Sequence, residues 1–199
     1  MSNLQHQSFF EVIGEILHEE ISALANYKVA DNGSAYQINA FLRGNRGATP
    51  PDATFLEQLN SVIHKSRTVK PIRPFRATFA EDFDQFVRDG VFCDPAYAST
   101  SLSDSNLGGH FVNGFSKHPI KLEINCPERA SAFYLELAQD KGETESECLL
   151  PRCSCYRIDV ELPPITEVKA IAKAMGQTNW YHAQGFEDLR IIGLSLLIS

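Results

Sequence analysis

The character of the chain changes at Val69. Before it, apolar residues recur at helical spacing; after it come short strand-like runs broken by Pro, Gly and turn residues. Phe9, Val12, Ile13, Ile16, Leu17, Ile21 and Leu24 follow the 3.6-residue period, with Glu11, Glu15, Glu19 and Glu20 mostly opposite, which predicts a helix over 8–27. Pro50-Pro51-Asp52 leads into a second helix over 53–66, whose apolar face is Phe55, Leu59, Val62 and Ile63. Strands are expected over Val69–Phe79, Tyr97–Leu102, Ile120–Ile124, Cys148–Val160 (interrupted by Pro151) and Leu189–Ile198. Ala80–Asp89 reads as a short helix, Asp104 as a cap for a helix over 105–115, and Val168–Met175 as strand or helix. Helices first and short strands later give an α+β order, not the alternation of a doubly wound sheet. Residues 1–66 are therefore expected as a helical N-terminal extension packed on a core of residues 67–199, the two forming one compact unit.

The chain has 199 residues, enough for one domain with such an extension. Its formal charge of −7 argues against affinity for nucleic acid or an anionic membrane, though it permits a local basic pocket. The start, Met-Ser-Asn-Leu-Gln-His-Gln, lacks the basic region of a signal peptide, and no apolar run reaches membrane-spanning length. Synthesis in the cytoplasm without a classical signal peptide is expected. The five cysteines are not spread like a disulfide framework, which predicts a reducing environment; a protein exported folded by a secretion machine would look the same.

Three stretches carry candidate chemistry. In Glu145-Ser146-Glu147, followed by Cys148-Leu149-Leu150-Pro151, the apolar run reads as a strand, so Glu145 and Glu147 project to one side as the chain enters it. Two like charges there cost stability, and catalysis is one compensating reason; an acidic solvated loop is the plain alternative. Phe75-Arg76 ends an expected strand. An arginine's planar fork suits phosphate or carboxylate, although most arginines are simply solvated. In Ser99-Thr100-Ser101, alternation points Ser99 and Ser101 to one face and Thr100 to the other. Strand hydroxyls can orient a carboxylate, and they are also common in ordinary edge segments.

Taken in order, Phe75-Arg76-Ala77, Ser99-Thr100-Ser101 and Glu145-Ser146-Glu147-Cys148-Leu149-Leu150-Pro151 resemble the Arg–Ser–Glu signature of mono-ADP-ribosyltransferases. This class is related to arginine-modifying bacterial toxins and effectors and to phage enzymes. The resemblance covers roughly residues 69–199. It implies two small, roughly perpendicular β-sheets around an NAD cleft, flanked by helices. It also implies cleavage of the nicotinamide–ribose bond of NAD and transfer of ADP-ribose to an arginine of a target protein. Glu147 would stabilise the oxocarbenium-like transition state, as a carboxylate does in glycoside hydrolysis. Arg76 would bind the diphosphate, Ser99 would orient Glu147, and Thr100 and Ser101 would brace the strand. Glu145 would polarise the acceptor guanidinium, a poor nucleophile on its own. By position, Phe111 is the candidate to stack on nicotinamide, with a core role as its alternative. In two places the chain departs from the pattern: Ala77 stands where the family has glycine, and Gln139–Glu143 lacks the aromatic that helps relatives engage their target.

Other readings fit less well. An NAD glycohydrolase would use the same site with water as acceptor, which needs no Glu145. A binding module of the same fold without catalysis has only Ala77 in its favour. A zinc site from Cys126, Cys148, Cys153 and Cys155 lacks the paired Cys-x-x-Cys spacing, and no metal is expected. Neither the phosphate-binding Gly-x-x-x-x-Gly-Lys loop nor a Rossmann fingerprint is present. The family occurs in secreted effectors and phage proteins, so delivery into another cell is compatible with the sequence.

Overall fold

The computed structural model describes residues 8–28, 34–45, 47–107, 111, 117–135, 146–177 and 180–198. In chain order its elements are β1 (Phe10–Val12), α1 (His18–Lys28), α2 (Ser34–Leu42), α3 (Ala53–His64), β2 (Ser66–Thr68), β3 (Phe75–Phe79), α4 (Ala80–Asp84), β4 (Val87–Arg88), β5 (Val91–Asp94) and β6 (Ala98–Ser101). They continue with a 3₁₀ turn at Asp104–Asn106, β7 (Pro119–Asn125), β8 (Phe133–Tyr134), β9 (Glu147–Leu150), β10 (Ser154–Glu161), α5 (Val168–Ala174), a second 3₁₀ turn at Trp180–Ala183 and β11 (Arg190–Leu196). These elements fall into two compact units. The first draws on residues 1–70, 94–99 and 127–154, the second on 71–93, 100–126 and 155–199.

In the first unit, α1, α2 and α3 share one core. Ala23, Leu24 and Tyr27 of α1, Ile38 of α2 and Leu59, Val62 and Ile63 of α3 pack with Tyr97, Phe133, Leu135 and Leu149. β1 runs antiparallel to β2, with Phe10 opposite Thr68, and β8 runs antiparallel to β9, with Phe133 opposite Leu149. The helix expected over 8–27 begins only at His18, and Phe10–Val12 is a strand. Gly14 explains the break: its φ of +90° lies outside the helical region. The buried face of α1 also differs from the one its apolar residues suggest. Glu20 is buried, while Leu17 and Ile21 are exposed. The carboxylate of Glu20 accepts hydrogen bonds from Lys65 Nζ at 2.7 and 2.8 Å, from Ser61 Oγ at 2.6 Å and from Leu17 N at 2.8 Å. A buried charge so fully partnered is tolerated where a lone one is not.

The second unit has the strand order β4-β5-β10-β11-β7-β3, with the Thr100–Ser101 end of β6 beside β3, where Phe75 is opposite Ser101. β11 is parallel to β7, with Ile192 opposite Leu122, and antiparallel to β10. β3 is antiparallel to β7, with Arg76 opposite Leu122. Leu107, Phe111, Ile171, Ala172, Met175, Ala183 and Leu189 form its helix-side core, against which Phe75, Ala77 and Phe79 pack. The segment left as strand or helix, Val168–Met175, is helical over Val168–Ala174, capped by the Glu167 carboxylate accepting from Lys169 N and Ala170 N. The helix expected over Ala80–Asp89 stops at Asp84 and gives way to the β4–β5 hairpin, whose turn places both Asp89 and Gly90 at positive φ. Of the helix expected over 105–115, the Asp104–Asn106 turn is described; residues 108–110 and 112–116 lie outside the described residues.

The cysteines also differ from expectation. Cys93 on β5 and Cys155 on β10 form a disulfide, whereas Cys126 and Cys148 are buried thiols and Cys153 an exposed one. The strands β5 and β10 are neighbours in the sheet, a proximity that a sequence separation of 62 conceals. No helix among the described residues is long and apolar enough to cross a membrane.

Candidate active site

The approach to Ser99 is built by the three N-terminal helices. Asp94-Pro95-Ala96 turns as its residue types predict, with the Asp94 carboxylate accepting from Ala96 N at 3.0 Å. Arg43, just beyond α2, grips the same carboxylate with Nε at 3.1 Å and Nη2 at 2.8 Å. Next, Tyr97 is fully buried, its ring edge-on to that of Tyr27 at 5.7 Å. Burial pushes the Tyr97 phenol up to about 12. It stays protonated and donates to Asn60 Oδ1 on α3 at 2.8 Å. Asn39 of α2 closes the arrangement. It donates Nδ2 to the Tyr27 hydroxyl at 2.9 Å and accepts from Tyr97 N at 3.2 Å. The backbone two residues before Ser99 is thereby tied to α1, α2 and α3.

β9 supplies the partner of Ser99. Cys148, Leu149 and Leu150 are fully buried and fix the strand, leaving Glu147 at its entrance. Ser146 precedes it with φ +51°, an uncommon conformation for a non-glycine residue, in a buried position. Ser99 Oγ donates to Glu147 Oε1 at 2.5 Å, a short charge-assisted bond. The other oxygen, Oε2, faces Lys28 Nζ at 3.4 Å, and the Glu147 side chain is only 13% exposed. The first unit thus brings together Ser99, Glu147 and Lys28. Glu145 lies outside the described residues.

The second unit holds the remaining expected residues. Arg76 is buried, the second residue of β3 and not the end of a strand as the sequence suggests. Alternation puts Arg76 and Thr78 on one face and Phe75, Ala77 and Phe79 on the face that packs against the helix-side core. The methyl group of Ala77, which replaces the family's glycine, therefore joins that core and leaves the Arg76 face. Thr100 and Ser101 are buried, and Ser101 Oγ accepts from Ser103 N at 3.1 Å as the chain turns out of β6. Lys121 Nζ reaches both Asp104 Oδ2 at 3.3 Å and the carbonyl of Ala174 at 3.2 Å, securing the turn that follows. Phe111 is fully buried and edge-on to Phe79 at 6.3 Å. Its ring has no accessible face for nicotinamide; in this structure it fills the core role, because Leu107, Ile171 and Met175 surround that position.

Burial pushes the Cys126 thiol up to about 12, so it stays protonated, and Cys155 is in a disulfide. Among the described residues, no group of three or more His, Cys, Asp or Glu side chains is arranged to hold a metal ion.

The profile of the ADP-ribosyltransferase exoenzyme family matches residues 5–180. The chain belongs to this family. No curated protein sequence matches the transferase, but solved structures do. The Clostridium limosum C3 exoenzyme is 24% identical, with a TM-score of 0.58 over 92% of this chain and 87% of its own. ADP-ribosyltransferase Vis, solved with agmatine, is 15% identical, with a TM-score of 0.65 over 95% and 79%. C3stau2 from S. aureus, solved with NAD, is 18% identical, with a TM-score of 0.59 over 92% and 88%. The α+β fold expected from the sequence is the fold of ADP-ribosyltransferase toxins.

Two contributors to the site of this transferase were invisible in its sequence. Lys28 has only one signal, a basic residue in the last turn of a helix, and that is explained equally well by the helix dipole. Asn39 lies on α2, and nothing in its local sequence distinguishes it from a solvated amide.

Proposed function

We propose that this ADP-ribosyltransferase transfers ADP-ribose from NAD to an arginine side chain of a target protein and releases nicotinamide. The observation that carries the reading is the Ser99–Glu147 hydrogen bond at 2.5 Å on a carboxylate only 13% exposed. Such a carboxylate is suited to a developing positive charge. The C–N bond between ribose C1 and nicotinamide breaks, and nicotinamide leaves with the bonding electron pair. Glu147 stabilises the resulting oxocarbenium character at C1. A guanidinium nitrogen attacks C1, and its proton passes to Glu145. Arg76 binds the diphosphate by bidentate hydrogen bonds, and Thr100 and Ser101 brace the strand that carries Ser99. The glutamate at 145 favours arginine as acceptor, and the complex of Vis with agmatine, itself a guanidinium, supports the same class. In this reading residues 67–199 carry the chemistry as the catalytic core. Residues 1–66 are a helical extension that also takes part in target recognition, and the protein acts as an effector delivered into another cell.

The test is mass spectrometry of a lysate incubated with NAD and the intact protein or its Glu147→Ala variant. ADP-ribosylated arginines are expected only with the intact protein, and nicotinamide release should fall about 1,000-fold in the variant, on the scale of losing a transition-state electrostatic partner. Undiminished labelling by Glu147→Ala would falsify the assignment. Glu145→Gln should lose arginine transfer yet retain NAD hydrolysis; equal loss of both contradicts the division of roles. Nicotinamide release by the intact protein without any protein labelling would identify a glycohydrolase instead.

A further inference from the structure

Ser99 accounts for one oxygen of Glu147; the other belongs to Lys28. Lys28 Nζ lies 3.4 Å from Oε2, with the two side chains 19% and 13% exposed. An ordinary lysine at a helix end keeps its ammonium in water. This side chain is only 19% exposed, and its ammonium lies against the carboxylate. Its origin is also fixed. Ala23, Leu24 and Tyr27 seat α1 in the core of the first unit, and the Tyr27 hydroxyl accepts from Asn39, which in turn binds the backbone of Tyr97 on the way to Ser99. The ammonium and the Ser99 hydroxyl are thus hung from one framework and reach the carboxylate from its two oxygens.

A single hydrogen bond fixes where a carboxylate oxygen sits but leaves the group free to swing about that contact. A second contact on the other oxygen removes this freedom. We propose that Lys28 is a positioning residue of the active site: it holds the Oε2 side of Glu147 while Ser99 holds Oε1, so that the plane of the carboxylate is set before NAD arrives. The 3.4 Å separation is an ionic contact, longer than charge-assisted hydrogen bonds to carboxylates, so Oε2 keeps acceptor capacity for the substrate. The proposal rests on Glu147 being the catalytic carboxylate.

The test is steady-state nicotinamide release by the full chain and its Lys28→Met, Lys28→Gln, Lys28→Arg and Glu147→Gln variants. Loss of carboxylate positioning should lower kcat about tenfold in Lys28→Met and Lys28→Gln while KM for NAD changes less than about twofold, since orientation is felt in the transition state. Lys28→Arg should recover most of the rate. Each variant's thermal midpoint is measured as well and the kinetics are run well below the lowest one, because removing one partner of a mostly buried ion pair is itself destabilising. An unchanged or increased kcat in Lys28→Met, or an effect confined to KM, overturns the proposal. Glu147→Gln separates the two levels. If it stays active, the catalytic role of Glu147 fails; if it is inactive while Lys28→Met behaves like the intact protein, only the role of Lys28 fails.

Discussion

Glu147 owes its setting to contacts on both sides of the peptide as well as on its carboxylate. One of them is the hydrogen bond from Ser99. Hydrogen bonds to charged groups contribute about 1.5–3 kcal/mol, so Ser99→Ala should lower kcat by roughly tenfold to a hundredfold. Rapid-quench measurement of nicotinamide release would show this; a rate within about twofold of the intact protein would mean that Glu147 orients itself without the hydroxyl. Ser146 acts through the backbone. At φ +51° a β-branched residue is strained, and Ser146→Val should lose about 1–2 kcal/mol in a denaturant titration, whereas Ser146→Gly keeps the conformation. Equal midpoints for the valine and glycine variants would count against a constrained turn. At this scale Ser99 and Glu147 were legible because residue types and chain order coincide with a known signature. Lys28 and Asn39 were not, since their importance lies in contacts across the fold. Phe111 shows the reverse: its place after the Ser-Thr-Ser run suggested a ligand, and packing made it core.

Among the elements, α1 departs furthest from its pattern: the apolar period points to a buried Ile21, and the helix buries Glu20 instead. Burial alone would raise the Glu20 carboxyl, but hydrogen bonds from Lys65, Ser61 and Leu17 N bring it below the ordinary value of 4.5. A lowered carboxyl contributes stability that is present above pH 4.5 and is lost as pH falls through the folded-state value. Lys65→Met should therefore cost about 3 kcal/mol at neutral pH and flatten the acid limb of the stability curve. Thermal melts between pH 3 and pH 7, roughly the span in which carboxyls titrate, would show it. An acid limb of the same steepness would place the proton-linked stability elsewhere. Gly176 is the second element-scale constraint. It ends α5 at φ +72°, and a Cβ there would lie 3.0 Å from the Asp104 carbonyl oxygen and 3.0 Å from Ser105 Cα. Both neighbours are backbone, so Gly176→Ala should destabilise by at least about 1–2 kcal/mol and disturb the turn that Lys121 secures. The strand identities of β7, β9 and β11 were readable from their apolar runs. The start of α1 and the β4–β5 hairpin were not, because positive φ at Gly14, Asp89 and Gly90 decided them.

For the whole molecule, both compact units draw on separated stretches of chain, so each depends on pairings distant in sequence. That is why the α+β class could be read from element order, whereas the grouping of Tyr97, Phe133 and Leu149 with the N-terminal helices could not. The disulfide belongs to the same class of hidden information. Cys93 and Cys155 look unremarkable in a five-cysteine chain, yet their strands are neighbours, and the bond closes a 62-residue separation. Cross-links of this span restrict the unfolded chain and typically contribute about 2–4 kcal/mol. Reduction should lower the denaturation midpoint of the intact protein accordingly, and a Cys93→Ser/Cys155→Ser variant should melt near the reduced value and ignore reductant. Maleimide labelling supplies the independent check: the oxidised native protein should react only at Cys153, the oxidised unfolded chain also at Cys126 and Cys148, and only the reduced unfolded chain at Cys93 and Cys155. An intact protein whose midpoint is indifferent to reductant would show that the paired strands hold together without their covalent link. The stability of the second unit would then rest on its sheet and on the core around Phe111, Ile171 and Leu189.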